Sequence, residues 1–330
     1  MVTFGEVMMR LSPPGYAKFS QVNELELAYG GGEANVAISL AYFGLGCQHV
    51  TRFPDNFIGK SATQYLRHHW LDTSEIIYGE GKMGKYFIEK GAVHRSSEVV
   101  YERDDSSFSS ITSKMINWDR VLDGADWFHF TGITPGISEG AADSCRKAIG
   151  AARKYGITVS VDAHSRKNLW KYGKEEKEVM QELVKGCDIL IASSYDIEHV
   201  LGIKGESDSF ESAARKVTET YPKLQKVVDK NRDIKSASHN RIQGLMWNRR
   251  SVVYSPTFDI THIVDRVGTG DAFAAGLIYG LLHFDEDQEA IDFASAACAL
   301  KHTVEGDANM VSITDVERLM DGNNSGRIIR

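Results

Sequence analysis

Residues 265–280, DRVGTGDAFAAGLIYG, place Gly268, Thr269 and Gly270 directly ahead of a single carboxylate, Asp271, and follow it with an apolar run of helical character. Glycines at 268 and 270 can take backbone angles closed to other residues, so the N–H groups of Gly268, Thr269 and Gly270 can point into one concavity that binds an anion. A helix starting near Gly270 adds its unpaired N–H groups and the positive end of its dipole. A carboxylate at such a place opposes anion binding. It makes chemical sense if it accepts a proton from a hydroxyl that attacks a bound phosphate, which is phosphoryl transfer to a small molecule. A bare Gly-x-Gly-Asp run equally describes an acid that only complements a helix dipole.

The elements needed to position this turn can be read along the chain. VTFGEVMMRL at the N-terminus reads as a first strand, and the segment 34–44 has helical spacing closed by a glycine. The alternation continues with strand-like segments at 47–53, 126–132, 157–163 and 187–193, and helical ones over 56–70, 139–155 and 175–186. Strand-like VVYSP and helices at 271–283, 287–302 and 313–320 follow, and the tail from 321 reads as frayed. Strands alternating with helices predict a mostly parallel sheet covered on both faces. Residues 13–30 and 82–110 break the rhythm: polar, aromatic and strand-like, they predict an antiparallel lid on a single domain spanning 1–330.

Composition removes other classes of function. The 330 residues carry 38 basic and 45 acidic side chains, a net charge of −7, and no long basic run, which argues against nucleic acid. No apolar stretch is long enough for a membrane span, and Glu6 and Arg10 interrupt the apolar N-terminus, so a cytoplasmic protein is expected. Cys47, Cys145, Cys187 and Cys298 are widely spaced and read as buried thiols.

Three segments in this order, YGGGEANVAISLAYFG, FPDNFIGKSATQYL and DRVGTGDAFAAGL, resemble the ribokinase (PfkB-type) carbohydrate kinases over nearly the whole chain. The resemblance implies a three-layer α/β/α domain with a small β-sheet lid, ATP and Mg²⁺ as cofactors, and pairing of copies through the lid. Within that family, the segments 101–103 (YER), 162–170 (DAHSRKNLW), 235–240 (KSASHN) and 306–312 (GDANMVS) are similar to kinases of 2-keto-3-deoxygluconate. That implies transfer of the ATP γ-phosphate to the sugar acid's 6-hydroxyl, with Asp271 as base and the 268–270 turn as oxyanion cradle. By the same resemblance Gly31, Gly32, Glu33, Ala34 and Asn35 would line the sugar site. Tyr86 and Tyr101 would contact the sugar from the lid, and Arg103 and Arg166 would hold its carboxylate. An arginine fork suits a carboxylate that a neutral hexose lacks. Ser193, Lys235, Ser236, Ser238, Asn240, Gly268, Gly270 and Asn309 would meet the nucleotide.

The chain departs from its family at Ser193 and Asp196, which stand where Asn-x-x-Glu is usual, leaving Asp196 as the metal-side carboxylate; His164 and Arg266 are further departures. A neutral-sugar kinase such as a fructokinase, or a silent sugar-acid sensor, are the alternatives. Two motifs are decoys. FIGKS lacks the first glycine of a P-loop, and Ser138 in GISEG reads as a helix N-cap, not a hydrolase nucleophile. His68-His69 lacks zinc spacing and reads as a pair of exposed helix histidines.

Overall fold

The computed structural model describes residues 1–164 and 168–322. Arg166 and the tail from 323 onward lie outside the described residues. The main sheet contains β1 (Val2–Phe4), β4 (Gln48–Val50), β9 (Trp127–Thr131), β10 (Thr158–Asp162), β11 (Ile189–Ile191), β12 (Lys226–Ser236), β13 (His239–Trp247) and β14 (Val252–Tyr254), in the order β14-β13-β12-β11-β10-β9-β1-β4. A short strand, β15 (Phe258–Ile260), joins β13 on the side of its first residues. From β12 to β4 all pairings are parallel, and β13 to β15 are antiparallel.

Helices cover both faces because the strands alternate apolar side chains with a period of two. On one face Trp127, Ile189, Ile191 and Val228 pack with α1 (Gly32–Tyr42), α2 (Phe57–His68), α9 (Thr269–His283), α10 (Asp287–Lys301) and α11 (Ile313–Met320). On the other, Phe128, Phe130, Leu190 and Val227 pack with α3 (Trp118–Val121), α5 (Glu139–Tyr155), α6 (Glu176–Val184), α7 (Ser194–Leu201) and α8 (Phe210–Thr220). The short α4 (Ile133–Ile137) leads into α5, whose first turn is closed by Ser138 accepting from the Ala141 N–H at 3.2 Å. Ser138 is therefore the cap expected of it. The Gly-Lys-Ser of FIGKS lies inside α2, capped by Asn56, and cradles nothing.

The N-terminal run is two strands, not one. β1 joins the main sheet, while β2 (Met8–Ser12) joins a second sheet with β3 (Glu26–Gly30), β7 (Lys85–Glu89) and β8 (Glu98–Glu102), in the order β3-β2-β7-β8. The lid thus starts at residue 8, and its central β2–β7 pairing is parallel, not antiparallel as expected. A small pair, β5 (Arg52–Pro54) with β6 (Ile77–Gly79), stands apart. The inner face of the lid puts Met8, Tyr86 and Ile88 against Val267, the residue before Gly268. His69 is 6% exposed and lies against Tyr65, which corrects its reading as an exposed histidine; its ring hangs back over α2 instead of facing water. All four cysteines are buried thiols. No described helix is long and apolar enough to cross a membrane.

Candidate active site

The N-termini of α1 and α9 meet at the C-terminal ends of the parallel strands, where open α/β sheets hold their ligands. Asn35 on α1 donates through Nδ2 to Oδ2 of Asp271 at 2.7 Å. Asp271 sits in the first turn of α9, and its carboxyl is pushed up to about 7. Burial is the largest cause, the Asn35 hydrogen bond opposes it, and the charges of Asp162, Asp307 and Glu33 add to it. A carboxylate oriented by one hydrogen bond, with a proton affinity near neutrality, is equipped as a general base.

Gly268 caps α9 at φ +76°, an angle that costs an L side chain, and a Cβ there would stand 1.8 Å from the Asp307 carbonyl oxygen. Gly270 does not use its conformational freedom, contrary to the expectation for both glycines: it lies in the helix, and a Cβ there would meet nothing nearer than Lys230 Nζ at 3.7 Å. Ala272 is the residue whose N–H closes back onto Gly268, so the N–H groups of Gly270 and Asp271 precede the helical ladder and have no helical acceptor. The turn is a donor surface in the sense required.

Its position is fixed by a group absent from the expected site. Arg10 on β2, 2% exposed, donates to Asp265 Oδ2 at 2.6 Å and to Asp307 Oδ1 at 2.7 Å. Asp265 also accepts from the Val267 N–H at 3.0 Å and the Gly306 N–H at 3.2 Å, while Tyr86 donates to Asp307. The guanidinium thereby ties the base of the lid to both segments that shape the turn. Burial works against its charge, but Asp307 and Asp265 outweigh burial and raise its proton affinity.

The other predicted residues divide. Gly31 and Gly32 lie at the start of α1; a Cβ on Gly31 would be 2.1 Å from the Glu6 carbonyl oxygen, and one on Gly32 would be 3.6 Å from Asp271 Oδ1. Glu33 and Ala34 are corrected as sugar contacts. Ala34 is buried in the core, and Glu33 turns beneath α1 to accept from the Thr131 N–H (3.0 Å), Thr131 Oγ1 (2.8 Å) and Thr134 Oγ1 (2.6 Å), docking α1 on β9. Tyr86 is buried and committed to Asp307; Tyr101, directly opposite on β8, is 58% exposed. Arg103 gives Nε (2.8 Å) and Nη2 (2.5 Å) to buried Glu6, which also accepts from Ser106. Beside the lid, Arg103, Asn168, Trp170 and Lys171 line a cleft of about 470 Å³.

Of the residues expected to meet the nucleotide, Asn240 and Asn309 are 0% and 1% exposed, and among the described residues neither amide has a partner at nitrogen or oxygen. Orphaned buried amides fit the donor and acceptor edge of a purine. Lys235 pairs with Asp233 on the exposed part of β12, and Ser238 Oγ accepts from the Val93 N–H, so these two are engaged elsewhere; Ser236 ends β12 and accepts from the Ser238 N–H. Ser193 and Asp196 form a reciprocal cap on α7: Ser193 Oγ donates to Asp196 Oδ2 at 2.5 Å, and the Asp196 N–H donates to Ser193 Oγ at 3.1 Å. His164 bonds Asp162 and stands 3.9 Å from the same Asp196 oxygen. Among the described residues no group of three or more His, Cys, Asp or Glu could hold a metal. Such a set of residues does not fit a caged structural ion; Mg²⁺, which usually arrives on phosphates and keeps several waters, would need no such cage.

Sequence reasoning missed Arg10, Asp265, Asp307 and Glu6 as parts of the site. The signal was present: Glu6 and Arg10 are two opposite charges inside an otherwise apolar strand-like run, which is how buried ion pairs look in a sequence. Arg10→Met leaves two buried carboxylates without their cation and lowers stability by about 3–5 kcal/mol, measured by urea unfolding; Asp307→Asn, which keeps the Arg10–Asp265 pair, costs less. Equal midpoints for Arg10→Met and the native chain would overturn the clamp.

Residues 1–314 match the pfkB family carbohydrate kinase. The chain is 30% identical over 326 residues, 99% of its length and 98% of the relative's, to the 2-dehydro-3-deoxygalactonokinase of Haloferax volcanii. It is 26% identical to the 2-dehydro-3-deoxygluconokinase of Thermoproteus tenax, covering 93% of this chain and 89% of the relative. The crystal structure of the 2-dehydro-3-deoxygluconokinase of Thermotoga maritima superposes with a TM-score of 0.92 at 41% identity, covering 97% of this chain and 99% of that one. With a carboxylate set at the mouth of an anion-binding helix start and a lid tied to it, the chain belongs to the pfkB family of carbohydrate kinases.

Proposed function

We propose that the protein transfers the γ-phosphate of ATP to the 6-hydroxyl of 2-keto-3-deoxygluconate. The observation that carries the chemistry is Asp271, oriented by Asn35 and held near neutral proton affinity at the open end of α9. The substrate class draws its support from relatives named for 2-dehydro-3-deoxy sugar acids. The sugar lies between the α1 N-terminus and the lid. Its hydroxyl oxygen bonds to the γ-phosphorus, the bond from that phosphorus to ADP breaks, and the hydroxyl proton passes to Asp271. Backbone N–H groups of the 268–271 turn hold the developing charge. Magnesium, when bound, offsets phosphate charge. Asn240 and Asn309 read the adenine edge.

The lid also serves association in this reading. Leu27 on β3 and Val100 on β8 lie on the outer face of the lid and are exposed, and two copies pairing there would cover them. Val100→Arg is expected to convert such a dimer to monomers in light scattering; an unchanged mass excludes this face.

For Asp271→Asn, turnover falls by about 10²-fold or more. In the native enzyme kcat/KM rises with pH along a limb with an apparent pKa near 7, the value held by the free carboxyl. Because that carboxyl has a folded pKa above its ordinary 3.8, the folded state keeps an extra proton between the two values, and stability declines as pH rises through that window. Asp271→Asn therefore raises the melting temperature at about pH 8, a gain that vanishes toward about pH 4. A variant that keeps native turnover removes Asp271 from the chemistry.

Substrate class is tested by ADP release with 2-keto-3-deoxygluconate, 2-keto-3-deoxygalactonate and fructose. Arg166→Ala is expected to lower kcat/KM for the acids by about 10- to 100-fold and to leave fructose within a few-fold. Arg103→Ala also leaves Glu6 buried without its cation, so it harms every sugar and is the poorer probe. Equal losses on acid and neutral sugars in Arg166→Ala would put the neutral-sugar kinase first.

A further inference from the structure

Two side-chain cations, Lys230 and Arg232, reach the Gly268–Gly270 turn, and Arg266 stands at its entry. Lys230 and Arg232 stand two residues apart on β12 and so share a face of the strand. Arg232 donates through Nη2 to Thr269 Oγ1 at 2.8 Å, and Lys230 Nζ is the atom nearest the open space above Gly270. Arg266 precedes the turn by two residues, and its carbonyl accepts from Thr269 Oγ1 at 3.0 Å. Arg232 and Arg266 are close enough that Arg232, after burial, holds the Arg266 guanidinium below its usual proton affinity. Among the described residues Arg232 Nε is buried without a hydrogen-bond partner.

Arg10, a few residues away in space through Asp265, sits between two carboxylates. Arg232 and Arg266 form no ion pair with a carboxylate among the described residues, and Lys230 makes no close pair either, though Asp162 and Asp229 lie within its field. Like charges left together in a partly buried place cost stability unless an anion completes them. Guanidinium groups are the side chains best matched to phosphate oxygens.

We propose that Arg232 and Arg266, assisted by Lys230, contact the terminal phosphates of the nucleotide and neutralise the charge that develops there during transfer. As the bond from the sugar oxygen to the γ-phosphorus forms and the proton moves to Asp271, the bond to ADP breaks and negative charge gathers on the departing β-phosphate oxygen. Fixed guanidinium donors stabilise that charge without reorganising. The chain thereby supplies positive charge from its own residues where its metal side, Ser193 and Asp196, is occupied with capping α7. The inference rests on membership of the kinase family and not on the identity of the sugar.

The test titrates Mg-ATP and AMP, with no sugar present, into the full chain and into Arg266→Gln and Arg232→Gln by calorimetry. Mg-ATP affinity is expected to fall about 10- to 100-fold in each variant while AMP affinity stays within about twofold, the size of a lost charge-assisted contact to phosphate. The melting temperature of nucleotide-free Arg266→Gln is expected to equal or exceed that of the native chain, since a like-charge contact has been removed. Unchanged Mg-ATP affinity, or equal weakening of ATP and AMP, overturns the proposal. Should Arg232→Gln fold poorly, Arg266→Gln decides alone, with inorganic tripolyphosphate as competitor for Mg-ATP on the native chain and, expected weaker, on the variant.

Discussion

The interaction on which the rest depends is the buried guanidinium of Arg10 between Asp265 and Asp307. It joins three segments far apart in sequence: lid strand β2, the run that enters the phosphate turn, and the loop after α10. A buried ion pair of this kind gives little net stability, because both charges lose water. What it gives here is position. Asp265 is held by Arg10 and in turn holds the Val267 N–H, and the Asp307 carbonyl leaves room beside Gly268 only for a glycine at φ +76°. The donor surface of the turn is therefore set from the base of the lid.

The acids gathered around the site carry a cost that the fold tolerates for function. Asp271, Glu33 and Asp307 all have proton affinities raised, chiefly by burial. Each is less comfortable ionised in the folded chain than in water, so the fold carries electrostatic strain around Asp271. Glu33 and Asp307 recover part of the cost through hydroxyl and guanidinium partners, and they also raise the proton affinity of Asp271. The same crowding that burdens stability raises the proton affinity of Asp271, the base of the proposed reaction.

The lid is more than a cover. Tyr86 reaches Asp307, Lys90 pairs with Glu305, and the Val93 segment exchanges hydrogen bonds with Ala237 and Ser238 on the β12–β13 hairpin. The flap thus touches both the loop after α10 and the β12–β13 hairpin. Val93 holds φ +50°, an angle costly for a branched side chain, at the point where these two parts meet.

Much of the protein was legible in its residue order. The helices at 139–155 and 313–320, the core strands at 127–131 and 158–162, the lid and the Asp271 turn follow from periodicity, caps and glycine placement, which are local properties. The helices α7 and α8 and the β12–β13 hairpin did not stand out, because mixed polar runs there give no clear period. Nor could local pattern reveal that VTFGEVMMRL divides between two sheets, since the division is set by where Glu6 and Arg10 find partners about 100 to 300 residues away. The sequence by itself determined that an acid stands directly behind a glycine turn at the start of a helix. Tertiary structure alone decided which charges surround it, that Glu33 supports α1 instead of facing the sugar, and that Lys230 and Arg232 reach the turn. Electrostatic fields add over distance in space, and distance in space is what a linear pattern does not contain.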